Sequence, residues 1–294
     1  MESSDLFNDL THLSLEEQIL VSRFGRGPTV IAPHSTVHKA FESIVDSHSS
    51  VIAAVFGEEQ ITYGDLDAAA NRLANYLIET GLEPKQRVCV VVQRSLEMLV
   101  GIFAVLKAGC QYVPVDGTVS SDLALRHILK DTGTRFVLCL PKLEAKVRQC
   151  SEVEDIVIVL LGQGVEDFSS KERPQIPVSS QDGIYAIYTS GMPVAPYCKS
   201  LLIYFTGSTG TPKGVDVLHG NVTNALLLQP GNLNITVGSQ VAQVLSIAFD
   251  MGSSNVSHFQ NSPNSYFRRV GDPCMSYEWW NFTPQRLMLG RDTG

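Results

Sequence analysis

From His38 to Leu161 the chain alternates amphipathic helical segments with short apolar runs, and this alternation constrains the fold more than any other feature. Arg87-Val-Cys-Val-Val-Val92 is unbroken apolar sequence after its arginine, the pattern of a strand covered on both faces. The helix before it is predicted over 63–80, with Leu66, Ala70, Leu73 and Leu77 on one face. Thr62 is its N-cap, Asp65 follows three residues later, and Gly81 marks its end. Further helices are predicted over 95–108, near 122–131 and near 143–149, with strands at 112–115, 135–140 and 156–161. A polar, proline-containing loop spans 169–182, and Ile-Tyr-Ala-Ile-Tyr-Thr-Ser-Gly at 184–191 is a strand running into a turn. Alternation of this kind predicts an α/β fold, a sheet with crossover helices on both faces.

The remaining composition mostly excludes. Lys+Arg 22 against Asp+Glu 30 leaves a formal charge of −8, with no basic stripe to neutralise nucleic-acid phosphates. The six cysteines, Cys89, Cys110, Cys139, Cys150, Cys198 and Cys274, show no CxxC spacing and no companion histidines, so neither a zinc site nor a disulfide framework is expected. The longest apolar stretch, 96–106, is too short to span a bilayer, and the acidic N-terminus has no apolar signal core. The expectation is a cytoplasmic protein with neither nucleic-acid nor membrane partner and no metal site of its own. Residues 1–35 read as a polar lead-in or linker.

Chemistry concentrates in Thr206-Gly207-Ser208-Thr209-Gly210-Thr211-Pro212-Lys213-Gly214. Glycines let backbone N–H groups approach an anion, the hydroxyls add donors, and Lys213 adds a point charge. It is not a Walker A loop, because Pro212 precedes the lysine and Gly214 stands where Ser or Thr is needed. By composition alone the segment reads equally as a phosphate loop or a surface turn.

Strand and loop together, Tyr-Thr-Ser-Gly followed by Ser-Thr-Gly-Thr-Pro-Lys-Gly, resemble the phosphate-loop signature of the adenylate-forming (AMP-binding) enzymes, in particular the adenylation domains of nonribosomal peptide synthetases. Ile61-Thr-Tyr-Gly-Asp-Leu66 resembles that family's first core motif and Leu106-Lys-Ala-Gly-Cys-Gln-Tyr-Val-Pro-Val-Asp116 its second. Phe249-Asp250 resembles the motif that supplies a carboxylate for the substrate amine. The resemblance implies the N-terminal part of an adenylation domain over 36–252. It also implies ATP-dependent activation of an amino acid as its aminoacyl-adenylate, for transfer to phosphopantetheine on a carrier domain not contained in this chain. On the same basis Thr206, Gly207, Ser208, Thr209, Gly210, Thr211, Lys213 and Gly214 would hold the nucleotide, Mg²⁺ would be shared with its phosphates, and Asp250 would pair with the substrate ammonium. Tyr112, Pro114 and Asp116 are read as structural, shaping a turn beside the sheet, and His219 as a loop histidine. No catalytic acid or base is assigned.

Two places depart from the family pattern. Between Ser190-Gly191 and Ser208 stands Met-Pro-Val-Ala-Pro-Tyr-Cys-Lys-Ser-Leu-Leu-Ile-Tyr-Phe-Thr-Gly, and after Gly252 the expected tryptophan-containing helix and Gly-Gly turn are missing. Reverse reading into codons accounts for both. A segment of 48 nucleotides beginning GT in codon 191 and ending AG at codons 206–207 can be removed in frame, leaving Tyr-Thr-Ser-Gly-Ser-Thr-Gly-Thr-Pro-Lys-Gly. A segment of 49 nucleotides from codon 252 to codon 268 shifts the frame, and the codons from Arg269 onward then permit Ala-Trp-Glu-Ile-Leu-Ala-Cys-Leu-Met-Asn-Gly-Gly-Thr. Residues 192–207 are therefore expected to be a non-native insert, and 253–294 an intron followed by wrong-frame reading, irregular in structure. A source with short introns, such as a fungus, is implied. A rival reading keeps the chain as written and uses Leu201-Leu-Ile-Tyr-Phe-Thr-Gly as the strand before the loop, making 184–191 a spare strand.

As written, the chain is expected to be an incomplete domain with adenylation severely impaired, since the family's later motifs and mobile C-terminal lid are absent from it. Two alternatives stand beside amino-acid activation: a non-catalytic nucleotide-binding fragment, and an adenylate-forming ligase acting on aryl or fatty acids.

Overall fold

The computed structural model describes residues 13–24, 30–163, 170–189, 212–228, 241, 243 and 246–248. The segment 192–207, the tail 253–294, loop residues 206–211 and Asp250 all lie outside the described residues.

Residues 1–32 form a separate unit whose described part is helix α1 (Leu15–Phe24). A helix here adds to the linker expected over 1–35. Its cause is local: the Glu17 N–H donates to Ser14 Oγ at 3.3 Å, and the Glu17 carboxylate accepts the Ser14 N–H at 2.8 Å. This reciprocal capping box satisfies two donors that a helix start leaves open.

The second unit opens with α2 (Val37–His48), then the hairpin β1 (Ile52–Phe56) and β2 (Glu59–Thr62), and α3 (Tyr63–Glu79). There follow β3 (Arg87–Val92), α4 (Leu96–Lys107), β4 (Gln111–Asp116), α5 (Asp122–Thr132) and β5 (Phe136–Cys139). A single 3₁₀ turn (Pro141–Leu143) leads into α6 (Glu144–Cys150), β6 (Val157–Leu160), β7 (Gly183–Thr189), β8 (Lys213–Leu218) and α7 (His219–Leu227). The helix starts are set by side-chain caps. Thr62 Oγ1 accepts from Asp65 N at 3.1 Å, Ser95 Oγ from Met98 N at 3.2 Å, and Ser121 Oγ from Ala124 N at 3.2 Å. Gly133, at φ +59°, closes α5 in the left-handed conformation that costs glycine least.

Six strands form one sheet in the order β6-β5-β3-β4-β7-β8; β3 to β7 run parallel and β8 antiparallel. Val88 to Val92 are fully buried, as the unbroken apolar run predicts for a strand covered on both faces. Each such valine contributes roughly 1.5–3 kcal/mol over leaving it in water. Helices α2, α3 and α4 pack on one another, and α5 packs on α6. Gly109, in the Leu-Lys-Ala-Gly motif, holds φ +73°, and a Cβ there would lie 2.5 Å from Ile176 Cγ2, so both backbone and space demand glycine.

Beneath α4 lies a buried ion cluster. Lys107 Nζ, 1% exposed, sits 2.6 Å from Glu42 Oε1 and 2.7 Å from Asp67 Oδ1. Lys39 and Arg173 complete the charge balance, at 2.8 Å from Glu42 Oε2 and 3.1 Å from Asp67 Oδ2. Burial alone would raise the Glu42 carboxyl, but Lys107 and then Lys39 outweigh it and hold it below its ordinary value.

Candidate functional site

The order of strands locates the site. After β3 the chain crosses to β4 on one side, whereas after β4 it crosses back over β3 to β5 on the other. With right-handed crossovers, α4 and α5 leave for opposite faces, so the strand order reverses at β3 and a topological switch point lies at its carboxyl end. Ligands of open α/β sheets bind in the crevice outside such a point.

Two polar side chains stand there. Arg94, just past β3, donates from Nη1 to the Gln243 carbonyl at 3.1 Å. Asp116, the last residue of β4, accepts Ser246 Oγ–H on Oδ2 at 2.7 Å. Its other oxygen accepts the Thr118 N–H at 3.0 Å, the Thr118 hydroxyl at 2.7 Å and the Val119 N–H at 3.3 Å. Burial alone would raise the Asp116 carboxyl, but the Thr118 and Ser246 hydrogen bonds outweigh it and hold it ionised below its ordinary value. Beside Ser246, Ile247 is 1% exposed and joins the core. The short stretch leading to Phe249-Asp250 is thus fastened to the carboxyl ends of β3 and β4. Asp116 does shape a turn, as expected, and in addition ties that turn to Ser246.

Pro114 has a further consequence. The N–H groups of Gln111 and Gly117 bond toward β3, to Gln86 and Val92 carbonyls, so the alternate positions 112, 114 and 116 face β7. Pro114 offers no N–H on that side, and the β4–β7 ladder is registered at Tyr112↔Tyr185 alone.

β7 and β8 bring the phosphate-loop segment to the same edge. Four residues beyond the Tyr112↔Tyr185 pair, β4 ends at Asp116 and β7 at Thr189, whose partner across the hairpin is Lys213. Of the nucleotide-binding residues predicted from sequence, Lys213 and Gly214 begin β8. Thr206, Gly207, Ser208, Thr209, Gly210 and Thr211 lie outside the described residues, as does Asp250. The strand paired in the sheet is 183–189, so this segment is no spare strand, contrary to the rival reading.

One face of α5 clasps this hairpin. His127 Nε2 donates to the Pro212 carbonyl at 2.9 Å, and Tyr188 OH donates to Asp131 Oδ2 at 2.5 Å. Burial first, and the Asp131 carboxylate second, push the Tyr188 phenol above its usual range, so it remains a neutral donor. A Cβ on Gly214 would stand 3.1 Å from Tyr188 Cζ, which explains glycine after the lysine. Sequence patterns do not single out Arg94, His127 or Asp131, because each acts on a residue more than 50 positions away.

His219 is corrected by the structure. It is the first residue of α7, 1% exposed, its Nδ1 accepts the Val37 N–H at 3.2 Å, and its ring meets His38 edge-on at 5.5 Å. A loop assignment fails because α7 begins at His219 directly after β8 and packs its first turn against α2. Burial lowers its pKa to about 4, so it is a neutral acceptor that joins α7 to α2. Cys89, Cys110, Cys139 and Cys150 are free and buried; burial raises the Cys89 and Cys110 thiols to about 12 and Cys139 to about 11, leaving them protonated and unreactive. Among the described residues no group of three or more His, Cys, Asp or Glu is placed to hold a metal ion, and no helix is long and apolar enough to cross a membrane.

Comparison with known proteins agrees with this architecture. The family model for the AMP-binding enzyme matches residues 41–192. Adenylate-forming reductase 03009 of Coprinopsis cinerea is 36% identical over 256 residues, covering 86% of this chain and 23% of that protein. Malpinin synthetase of Mortierella alpina is 36% identical over 218 residues, covering 74% of this chain and 3% of that protein. The chain therefore spans less than a quarter of these relatives' length. Among solved structures, the nonribosomal peptide synthetase FmoA3 in its AMPPNP-bound form superposes with a TM-score of 0.72 at 20% identity, over 87% of this chain and 25% of that one. Its sheet, its switch point and the matched sequence all say the same thing: the chain belongs to the family of AMP-binding, adenylate-forming enzymes.

Proposed function

We propose that this chain is the nucleotide-holding part of an enzyme that activates an amino acid with ATP for nonribosomal peptide synthesis. The observation that carries the reading is the convergence of the Thr189↔Lys213 hairpin and the Asp116–Ser246 fastening at one edge of the parallel sheet. In this reading Lys213, with the backbone and hydroxyls of Ser208 to Thr211 and Gly214, holds the β- and γ-phosphates, and Mg²⁺ arrives with the nucleotide. Asp250 pairs with the substrate ammonium. The substrate carboxylate attacks the α-phosphorus, the bond to the bridging oxygen breaks, and pyrophosphate leaves. The chain contributes position and positive charge to that displacement. The aminoacyl group then passes to a carrier-domain phosphopantetheine thiol.

Residues 192–207 belong to this proposal as a retained intron, and 253–294 as intron and wrong-frame text. Support comes from the hairpin itself. Thr189 and Lys213 are paired, so removing 192–207 leaves Ser190-Gly191-Ser208-Thr209-Gly210-Thr211-Pro212 to connect two strand ends already side by side. A connection of that length closes easily.

A second reading is favoured by one observation: at the same 36% identity, the Coprinopsis adenylate-forming reductase covers more of this chain than malpinin synthetase does. Acid activation is common to both readings. They part at the fate of the acyl group, transfer to a carrier thiol in the first and reduction in the second.

Sequencing the mature transcript across codons 191–207 and 252–269, then assaying its product for acid-dependent exchange of pyrophosphate into ATP, tests the proposal. Loss of 48 and 49 nucleotides and exchange stimulated by an amino acid, abolished by Asp250→Ala, is the expected result. Exchange driven by aryl or fatty acids and indifferent to Asp250→Ala would overturn amino-acid activation in favour of a ligase for such acids. ATP binding with no exchange for any acid would leave a non-catalytic nucleotide-binding protein.

A further inference from the structure

We infer that His127 and Asp131 are positioning residues for Lys213: from one face of α5 they fix the backbone on either side of the lysine and so aim it at the nucleotide phosphates. The inference rests on the reading of residues 208–214 as the phosphate loop and extends it to a helix outside every motif of that reading.

The geometry is that of a clasp. His127 and Asp131 are four residues apart and share a helix face, while Leu125, Ile128 and Leu129 of the same helix are buried in the core, so the helix is held from within. A carbonyl can only accept, so the 2.9 Å contact at Pro212 makes His127 Nε2 the donor. Asp131 holds the Tyr188 hydroxyl at 2.5 Å, and the His127 ring stands edge-on to Tyr188 at 6.3 Å. Tyr188 in turn is the strand partner of Gly214, whose missing side chain leaves room for the phenol ring. Lys213 therefore lies between a carbonyl held by His127 and a glycine held under Tyr188.

A lysine on a four-carbon stem loses much rotamer entropy when it meets a phosphate, so a fixed backbone origin matters to its affinity. This also gives physical sense to the sequence Pro-Lys-Gly. Proline leaves its carbonyl as the only polar backbone group to be held, and glycine admits the aromatic ring.

The test is AMPPNP binding by calorimetry to the product of the mature transcript, taken as the parent chain, with thermal melting of each variant alongside. Lys213→Ala sets the floor. His127→Phe removes the donor and is expected to weaken binding about tenfold, the effect of one lost ordering hydrogen bond. His127→Gln keeps a donor and is expected to bind within about threefold of the parent. Asp131→Asn preserves the volume should His127→Phe fold poorly, and is expected to weaken binding about threefold through a looser Tyr188. Melting temperatures should stay together across these variants. Binding by His127→Phe and Asp131→Asn equal to the parent, with Lys213→Ala impaired, would overturn the positioning role and leave the phosphate loop intact. Equal losses in His127→Phe and His127→Gln accompanied by lowered melting temperatures would reduce both residues to general stability and overturn it too. Absence of AMPPNP binding by the parent chain would overturn the phosphate-loop reading and this inference with it.

Discussion

The Lys107 cluster and the β7–β8 hairpin serve one sheet and are held by opposite means. Lys107, Glu42 and Asp67 are withdrawn from water and joined by contacts of 2.6–2.7 Å under α4. The hairpin is held by its own strand ladder, by the solvent-facing Arg87–Asp216 pair at 3.0 Å and, at its end, by the His127 and Tyr188 hydrogen bonds, with Lys213, Gly214, Val215 and Asp216 exposed. The cluster's purpose is rigidity: removing any one charge strands the others in a low-dielectric interior. A strand that holds phosphate, as proposed for β8, must instead admit a ligand and its water, and β8 draws part of its order from a neighbouring helix. In the proposed reading, stability rests on the helices α2, α3 and α4 and function on the hairpin at the far side of the sheet's order.

Replacement of the buried lysine breaks that comparison most sharply. Lys107→Met should cost about 3–5 kcal/mol, read as a fall in the urea midpoint, because Glu42 and Asp67 lose their shared partner. A cost below about 1 kcal/mol would show that Lys39 and Arg173 suffice and that the cluster is no keystone.

Acidification acts next. His219 titrates near 4 when buried and near 6.5 when unfolded, and His38 is likewise held well below its ordinary value by burial, then by His219 and Lys107. The folded pKa is the lower one, so the stabilisation is complete above about pH 6.5 and drains away as pH falls toward about 4. For His219 it amounts to something on the order of 3 kcal/mol. Thermal melts from pH 7 to pH 4 should fall accordingly, and His219→Phe should flatten part of that slope. An unchanged slope would mean that the α2–α7 contact is not the acid-labile joint. Glu42 and Asp116, held low in the fold, add losses of the same sign at lower pH.

At the hairpin, Gly214→Ala sharpens the contrast. Its Cβ would meet Tyr188 at 3.1 Å, and the expected cost of about 1–3 kcal/mol should appear chiefly as lost nucleotide affinity with little change in melting temperature. An equal loss in both would mean that the hairpin is part of the global fold. Ser246→Ala, the mildest change, frees one Asp116 oxygen at about 1 kcal/mol, measurable as faster amide exchange at 246–248. Unaltered exchange would show that Ile247 alone holds the segment.

Much of the architecture is readable because it is local. The helix predicted over 63–80 is observed as Tyr63–Glu79 with Thr62 as its cap, and the run at 87–92 forms its strand without a residue's difference. Apolar period and cap chemistry are encoded within a few neighbours, and burial merely confirms them. The helix at Leu15–Phe24 escapes a reading by period because its exposed Leu15 and Ile19 give no buried stripe, and only the Ser14–Glu17 cap betrays it. The site is readable in part. Lys213 and Gly214 stand out by motif, whereas Arg94, His127 and Asp131 carry no local mark.

By itself, then, the sequence determined the succession of strands and helices, the glycine and lysine of the phosphate-loop segment, and the family. These depend on periodicity and on short motifs whose chemistry is complete within a few residues. Only the tertiary structure decided that β7 lies beside β4, that Asp116 meets Ser246 across 130 positions and His127 meets Pro212 across 85, and that His219 is interior. Such pairings pay a loop-closure entropy that the finished sheet alone can offset, so no stretch of neighbouring residues announces them.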